Sequence, residues 1–454
     1  MARNARPKTT DRPGKPALPD GPVHTLIIGS GGREHALGHA LKRSPRCGKL
    51  YFAPGNGGTD ALGQNVDLPA TPVNTKHVDA INYFCRQRDI TLIVVGPEDP
   101  LAAGLVDRLE QPGRFVFGPT ADAARLEADK AYAKQVMKAA SIPTADARTF
   151  TDFRAAANYV EARDEPVVVK AAGLAKGKGA IVCDTTDEAI AALRKCFEER
   201  AFGDAGNTVL VEEKMLGQEL SVLALVDGQN IYVLDPCQDH KQAHEGDTGP
   251  NTGGMGAYCP TPLIDDELMT TIEREVLVPA VDYLRRDGTT YRGVLYAGLM
   301  LTAAGPKVIE FNCRFGDPEC QPLVARLQGD LLEAMLLTCV GRLDEANLAF
   351  DERHAACVVV AAQGYPGDYP KGLPITGLDE AEAMQGVSLF HAGTKLEKGG
   401  RLVTAGGRVI NVVATAESLT QAVENANEAA SRIRFDGAWF RRDIGHRVAA
   451  VAGR

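Results

Sequence analysis

A chain of 454 residues is longer than one hydrophobic core organises, since domains hold roughly 100 to 200 residues, and about three compact units are expected. Apolar residues make up 44 % and charged residues 24 %, which excludes a largely disordered chain, and a formal net charge of -9 excludes general binding to a nucleic-acid backbone. No apolar run approaches the roughly 20 residues that span a bilayer, and ten cysteines without a C-x-x-C spacing read as reduced thiols of a cytoplasmic protein.

Residues 1–22 carry Arg3, Arg6, Lys8, Arg12 and Lys15 among prolines, with no apolar stretch, and read as a disordered tail. From Val23 onward apolar strands end in glycine turns that precede helix-like stretches: Thr25 to Ile28 before Gly29, Leu50 to Ala53 before Pro54-Gly55, and Thr91 to Val95 before Gly96. This alternation predicts a parallel sheet covered on both faces over residues 23–124. Its ligand crevice lies beyond the carboxyl ends of the strands, where the three turns fall. The turn Gly29-Ser30-Gly31-Gly32-Arg33-Glu34 can offer amides to a phosphate or sugar. A nicotinamide-binding loop needs glycine where Glu34 stands; a tight turn serving only chain geometry is the other reading.

The next stretch opens with a helix predicted over 121–140, followed by buried strands at Pro166 to Lys170 and Thr208 to Glu213. Strands at Glu219 to Val226, Asn230 to Asp235, Val294 to Thr302 and Lys307 to Asn312, with a helix near Asp265 to Arg286, make a mixed α+β pattern. We assign 125–344 to this central domain. A helix near Gly329 to Val340 leads to strands at Cys357 to Ala362 and Arg408 to Ala414, which define a C-terminal α/β domain over 345–446.

Between Lys170 and Gly179 the sequence packs three glycines and three lysines into ten residues after a strand. The Walker A pattern is absent, because no Gly-Lys is followed by Ser or Thr there. Glycines let backbone close over an anionic chain and lysines neutralise it; a solvated basic hairpin is the competing reading. Lys170 ends an apolar strand, where an idle ammonium is costly to bury. Downstream, Glu310 and Asn312 share one face of a strand. Such hard oxygen ligands suit Mg²⁺, which otherwise keeps waters and substrate phosphates, although a pair of this kind can also be an ordinary strand face. The glycine-rich loop from Thr248 to Gly256 is too polar for a core and suits a ligand cover. His240 reads as a hydrogen-bonding partner rather than a general base.

Taken together, these segments resemble the ATP-grasp ligases, and within them the branch that joins glycine to 5-phosphoribosylamine in purine biosynthesis. The similarity runs from Val23 to Val448 through GGREHAL from Gly31, APGNGGT from Ala53, GPEDPL from Gly96, DTGPNTGGMGAY from Asp247, IEFNCRFGDPE from Ile309, GYPGDY from Gly364 and HAGTK from His391. The resemblance implies that the central domain is an ATP-grasp domain with a flap subdomain at about 145–213. It implies ATP held by Lys130, Lys170, Lys176, Gly177, Lys178, Gly179, Glu212, Glu213, Leu216 and Glu219. Glu310 and Asn312 would hold Mg²⁺ or Mn²⁺, and Arg314 and Lys170 would act on the reacting glycine and phosphate. Gly31, Gly32, Gly55, Asn56, Glu98, Asp239, Lys395 and Arg408 would surround phosphoribosylamine. One departure is Gln242, where the family commonly has Arg after Asp239-His240-Lys241.

The expected reaction is phosphorylation of glycine's carboxylate followed by displacement of phosphate by the amine. The expected partners are small molecules only, without nucleic acid or membrane, acting on a monomer. A ligase of formate or bicarbonate, a nucleotide sensor without turnover and a nicotinamide-dependent oxidoreductase are the alternatives.

Overall fold

The computed structural model describes residues 17–69, 73–175 and 177–447. Five parallel strands form the first sheet, in the order Gln64–Asn65, Cys47–Pro54, Val23–Gly29, Leu92–Val95, Phe115–Phe117. Its central strands are continuous apolar runs because helices cover both faces. Residues 17–22, expected to be disordered, instead run along this domain: Leu18 packs against its core and the Pro19 carbonyl accepts from Arg46. The apolar contact of Leu18 and this hydrogen bond offset the entropy of ordering them. The rest of the expected tail, residues 1–16, lies outside the described residues.

The helix expected over 121–140 is two helices, Ala121–Ala128 and Lys130–Ala139. Asp129 adopts extended backbone between them, and its carboxylate accepts from the amides of Ala131 and Tyr132 at 3.0 and 3.1 Å. Aspartate competes with helix geometry in this way and caps instead. The break places Lys130 at a helix start, where its own amide donates to the Ala172 carbonyl at 2.9 Å. The predicted helix near 265–286 runs as Asp266–Ile272, a π turn Glu273–Leu277, and Val278–Arg286.

The flap subdomain is an antiparallel sheet in the order Ala147–Phe150, Val209–Glu213, Val167–Ala171, Ala180–Cys183. Helices Phe153–Arg163 and Thr186–Phe197 pack on it around a separate small core. The rest of the central domain is an antiparallel sheet ordered Ile231–Val233, Gln218–Asp227, Arg292–Thr302, Gly305–Asn312.

The C-terminal sheet is antiparallel and takes two of its strands from the central part of the chain. Its order is Gln238–Asp239, Gly256–Cys259, His354–Ala361, Arg408–Ala416, Val387–His391. The polar loop 240–255 is thereby anchored at both ends in a buried sheet. One apolar core joins Ile27 and Phe52 of the first domain, Leu332 and Leu336 of the helix Leu331–Cys339, and Val359 and Val413 of the last sheet. All ten cysteines are free, nine of them buried, and among the described residues no helix is long and apolar enough to cross a membrane.

Candidate active site

The ends of the strands Val167–Ala171, Val209–Glu213 and Gly305–Asn312 bring Lys170, Glu212, Glu310 and Asn312 to one cleft between the flap and the central sheet. Glu212 is 2 % exposed. Its carboxylate pairs with Lys170 at 2.8 Å and with Lys134 at 3.4 Å. Lys170 also donates to the Ile309 carbonyl at 3.1 Å, so two fixed acceptors aim its ammonium. Lys130 donates to the Gly173 carbonyl at 3.2 Å, at the root of the glycine-lysine loop. Burial lowers the Lys130 pKa, and Glu310 works against that shift.

Glu310 lies among Lys241, Lys130 and Lys170. Burial alone would raise its pKa, but these three cations bring it below the usual carboxylate value. Among the described residues its carboxylate takes no hydrogen bond or ion pair, and Asn312 on the same strand offers its carbonyl oxygen. An ionised oxygen donor with no protein donor on it, beside a neutral one, fits a divalent cation such as Mg²⁺.

Arg314 is more heavily engaged than a residue waiting for a substrate carboxylate. It pairs with Glu127 at 2.9 Å and Glu98 at 3.2 Å, and donates to Asn312 Oδ1 at 3.3 Å and the Phe315 carbonyl at 3.2 Å. Three of its five N–H groups are thus hydrogen-bonded, and Nη2 also lies against the Glu127 carboxylate. Burial works against its charge, yet Glu127 and Glu98 raise its pKa. For Glu98 burial is outweighed by Arg314 and Arg33, which hold its carboxyl at about 2. Arg314 therefore ties the first domain, through Glu98, to the strand that carries Glu310 and Asn312.

Around the first turn, the Glu34 carboxylate turns back under the glycines and accepts from the Gly31 amide at 2.6 Å. A side chain on Gly29 or Gly96 would strike it. The residue that breaks the dinucleotide pattern thus fills the space beneath the turn. A side chain on Gly32 would collide with Asn411 and Gln321, so this turn meets the C-terminal sheet without a gap. Asn56 is wholly engaged: its amide donates to the carbonyls of Ser30 at 3.0 Å and His391 at 2.7 Å, and its oxygen accepts from the Gly58 amide at 2.9 Å. Gly55 has a φ of 72° at the head of that loop. Lys395 is exposed beside it, next to Thr394, whose carbonyl accepts from Gly57. Arg408 donates to the carbonyls of Gly253 at 2.6 Å and Asp317 at 2.7 Å and pairs with the Asp317 carboxylate at 3.2 Å.

Of the remaining sequence-derived candidates, Glu219 pairs with Lys241 at 2.9 Å, and Glu213 accepts from Lys307 and the Asp146 amide at 3.0 and 3.1 Å. Leu216 is 75 % exposed on the rim. Asp239 is buried, and one of its oxygens has no hydrogen-bond partner among the described residues. Burial and the neighbouring Glu319 raise its pKa well above the usual value. Gly177 and Gly179 flank Lys178, which donates across the cleft to the Pro366 carbonyl at 3.0 Å. Gly179 adjoins the strand end through its carbonyl, which accepts from Ala171. Lys176 lies outside the described residues. His240 is fully buried: its Nε2 accepts from the Gly445 amide at 3.0 Å and burial lowers its pKa to about 4, which suits a neutral partner.

Sequence reasoning missed Lys134, Glu127 and Lys241 as members of the site. Lys134 stands one helical turn from Lys130 on the same face, a spacing that was readable. Glu127 sits in an apolar helix face without a visible partner, and Arg314 is distant in sequence. Lys241 stood in a noted motif, but its pairing with Glu219 depends on the fold.

Comparison with known proteins matches three successive family models: the phosphoribosylglycinamide synthetase N domain over residues 23–127, the ATP-grasp (A) domain over 128–320 and the C domain over 355–447. A phosphoribosylamine–glycine ligase of Rhodopirellula baltica is 48 % identical over 439 residues, covering 95 % of this chain and 99 % of that protein. The crystal structure of phosphoribosylamine–glycine ligase from Thermotoga maritima superposes with a TM-score of 0.80 at 34 % identity, over 93 % of this chain and 100 % of that one. A biotin carboxylase domain of Hydrogenobacter thermophilus, solved with MgADP and bicarbonate, shares the fold at a TM-score of 0.70 and 17 % identity, over 92 % of this chain and 91 % of that one.

Proposed function

The chain belongs to the phosphoribosylglycinamide synthetase family, and from that premise we propose how its residues divide the work. It is an ATP-dependent carbon–nitrogen ligase that converts ATP, glycine and 5-phosphoribosylamine into ADP, phosphate and glycinamide ribonucleotide, a step of purine biosynthesis.

In the first step a carboxylate oxygen of glycine attacks the γ-phosphorus of ATP, the bond to the bridging oxygen breaks and ADP leaves. Negative charge spreads over the transferring group, so cations fixed in advance are what accelerate it. Lys170, aimed by Glu212 and the Ile309 carbonyl, and Lys130, at the root of the loop, supply that charge. Glu310 and Asn312 would hold a divalent cation, Mg²⁺ or Mn²⁺, which when bound neutralises the nucleotide phosphates. Glu212, Glu213 and Leu216 line the adenine side and Glu219 the ribose. The second N–H of Arg314 Nη1 reaches glycine. Gly177, Lys178 and Gly179 cover the phosphates.

In the second step the amine nitrogen of phosphoribosylamine attacks the acyl carbon of glycyl phosphate, phosphate leaves with the bonding electrons, and the nitrogen loses a proton. A bare carboxylate offers the amine no competent leaving group, so the first step must precede the second. Gly31, Gly32, Gly55, Asn56 and Glu98 shape the ribosylamine side, with Asp239, Lys395 and Arg408 facing it from the other domains. Asn56 acts by holding the turn and the C-terminal domain together. The division into units at 23–124, 125–344 and 345–446 follows the same reading, as does work as a cytoplasmic monomer, since one chain supplies every assigned residue.

The observation that carries the chemistry is the pairing of Glu212 with Lys170 beside a carboxylate, Glu310, that no protein donor among the described residues satisfies. The test is oxygen transfer: with glycine labelled with ¹⁸O in its carboxylate, one label per turnover should appear in inorganic phosphate. Unlabelled phosphate would rule out an acyl phosphate.

A further inference from the structure

The segment Gly364-Tyr365-Pro366-Gly367-Asp368-Tyr369 is left without a task by the assignments above, although the structure sets it at the mouth of the cleft. Three contacts converge there. Lys178, at the tip of the flap loop, donates to the Pro366 carbonyl at 3.0 Å. The neighbouring Gly177 passes so close to the other side of the mouth that a side chain on it would begin 3.5 Å from the Thr252 carbonyl. Tyr365 in turn accepts from the Gly253 amide at 3.0 Å through its hydroxyl.

The same loop also anchors Arg408. The Gly253 carbonyl that Arg408 grips belongs to the residue whose amide binds Tyr365. Gly407, beside Arg408, leaves no room for a side chain against the rings of Tyr365 and Tyr369. On the nucleotide side, Thr252 is tied by its amide and its hydroxyl to the Lys241 carbonyl, both at 2.8 Å, and Lys241 pairs with Glu219. One short turn therefore touches the flap tip, the loop 252–253 and Gly407, the neighbour of the arginine assigned to the second substrate.

We propose that Tyr365 and the Pro366 carbonyl form a seat for the flap tip, with Tyr365 a positioning residue that couples closure over glycyl phosphate to the site of phosphoribosylamine. The proposal rests on the ligase reading above. Its chemical purpose is to keep water out: if water attacks the acyl carbon first, the carbon–oxygen bond to phosphate breaks, phosphate leaves with the electron pair, a proton goes to solvent and ATP has been hydrolysed without product. A flap seated on the elements that hold Arg408 is steadiest when those elements are in place for the amine.

The experiment compares ADP formed with glycinamide ribonucleotide formed, with ATP, Mg²⁺, glycine and freshly made phosphoribosylamine all present, for the full chain and for Lys178→Met, Tyr365→Phe and Lys178→Arg. The unaltered chain should give about one ADP per ribonucleotide; Lys178→Met and Tyr365→Phe should give about three or more, because the intermediate leaks to water. Lys178→Arg, which can still donate to the Pro366 carbonyl, should return the ratio toward one. A ratio that stays at one in both Lys178→Met and Tyr365→Phe overturns the seat, even if the apparent KM for ATP rises, since lost phosphate binding slows turnover without uncoupling it. An unaltered chain that makes ADP but no ribonucleotide overturns the ligase reading itself.

Discussion

Glu212 holds two lysines at once, Lys170 at 2.8 Å and Lys134 at 3.4 Å, in a place that is 2 % exposed. Burial lowers the Lys134 pKa to about 8 even with this carboxylate beside it. Removing the charge while keeping the shape leaves both ammonium groups without their partner. Glu212→Gln should therefore lower kcat/KM for ATP about 10- to 100-fold, roughly 1.4 to 2.7 kcal/mol of transition-state stabilisation. Steady-state kinetics with an unchanged circular dichroism spectrum check this; wild-type kinetics would reduce Glu212 to a backbone contact. Glu310→Ala should abolish turnover while leaving the thermal transition in place, and should also remove Mn²⁺ binding in the presence of ADP as seen by electron paramagnetic resonance. Retained Mn²⁺ binding would move the cation elsewhere. The sequence made Lys170 and Glu310 legible because an ammonium and a carboxylate at the ends of apolar strands stand out. It concealed that Arg314 is mostly occupied, since Glu127 and Glu98 reach it from far upstream, Glu98 by 216 positions.

At the level of elements, the contact between the helix Gly32–Lys42 and the strand Val387–His391 joins the first and last domains. His35 Nδ1 accepts from the His391 amide at 2.8 Å, and the two rings lie 5.5 Å apart. Burial, with repulsion from His391, lowers the His35 pKa to about 3, and burial lowers that of His391 to about 4. Unfolded, both titrate near 6.5. The unfolded chain therefore binds more protons between these values, and stability is full above pH 6.5 and declines as the pH falls toward 4 and then 3. Thermal unfolding at pH 7 and pH 5 should show a lower Tm at pH 5, with a smaller difference in His35→Asn, which keeps an acceptor but cannot be protonated. An equal drop in that variant would place the acid sensitivity elsewhere. Element boundaries were the less legible part. The apolar spacing runs through Asp129 unbroken, so its cap could not be told from a mid-helix residue. The strands Gln238–Asp239 and Gly256–Cys259 are too short to announce that they join a sheet begun a hundred residues later.

For the whole molecule, a core shared by all three domains brings their loops to one cleft. Parallel order in the first sheet was legible from strand–glycine–helix alternation, because helices on both faces demand apolar strands. The antiparallel C-terminal sheet was not, since its register is set by pairing between distant segments. The central claim is that this cleft links cleavage of ATP to the joining of glycine and phosphoribosylamine. It is tested most directly by measuring ADP formation by the purified chain with ATP and Mg²⁺, with both substrates present and with each left out in turn. Sustained ADP release that requires glycine, is much faster with phosphoribosylamine and yields ribonucleotide is the predicted result. Equal ADP release with neither substrate, or with formate or bicarbonate in place of glycine, would contradict it.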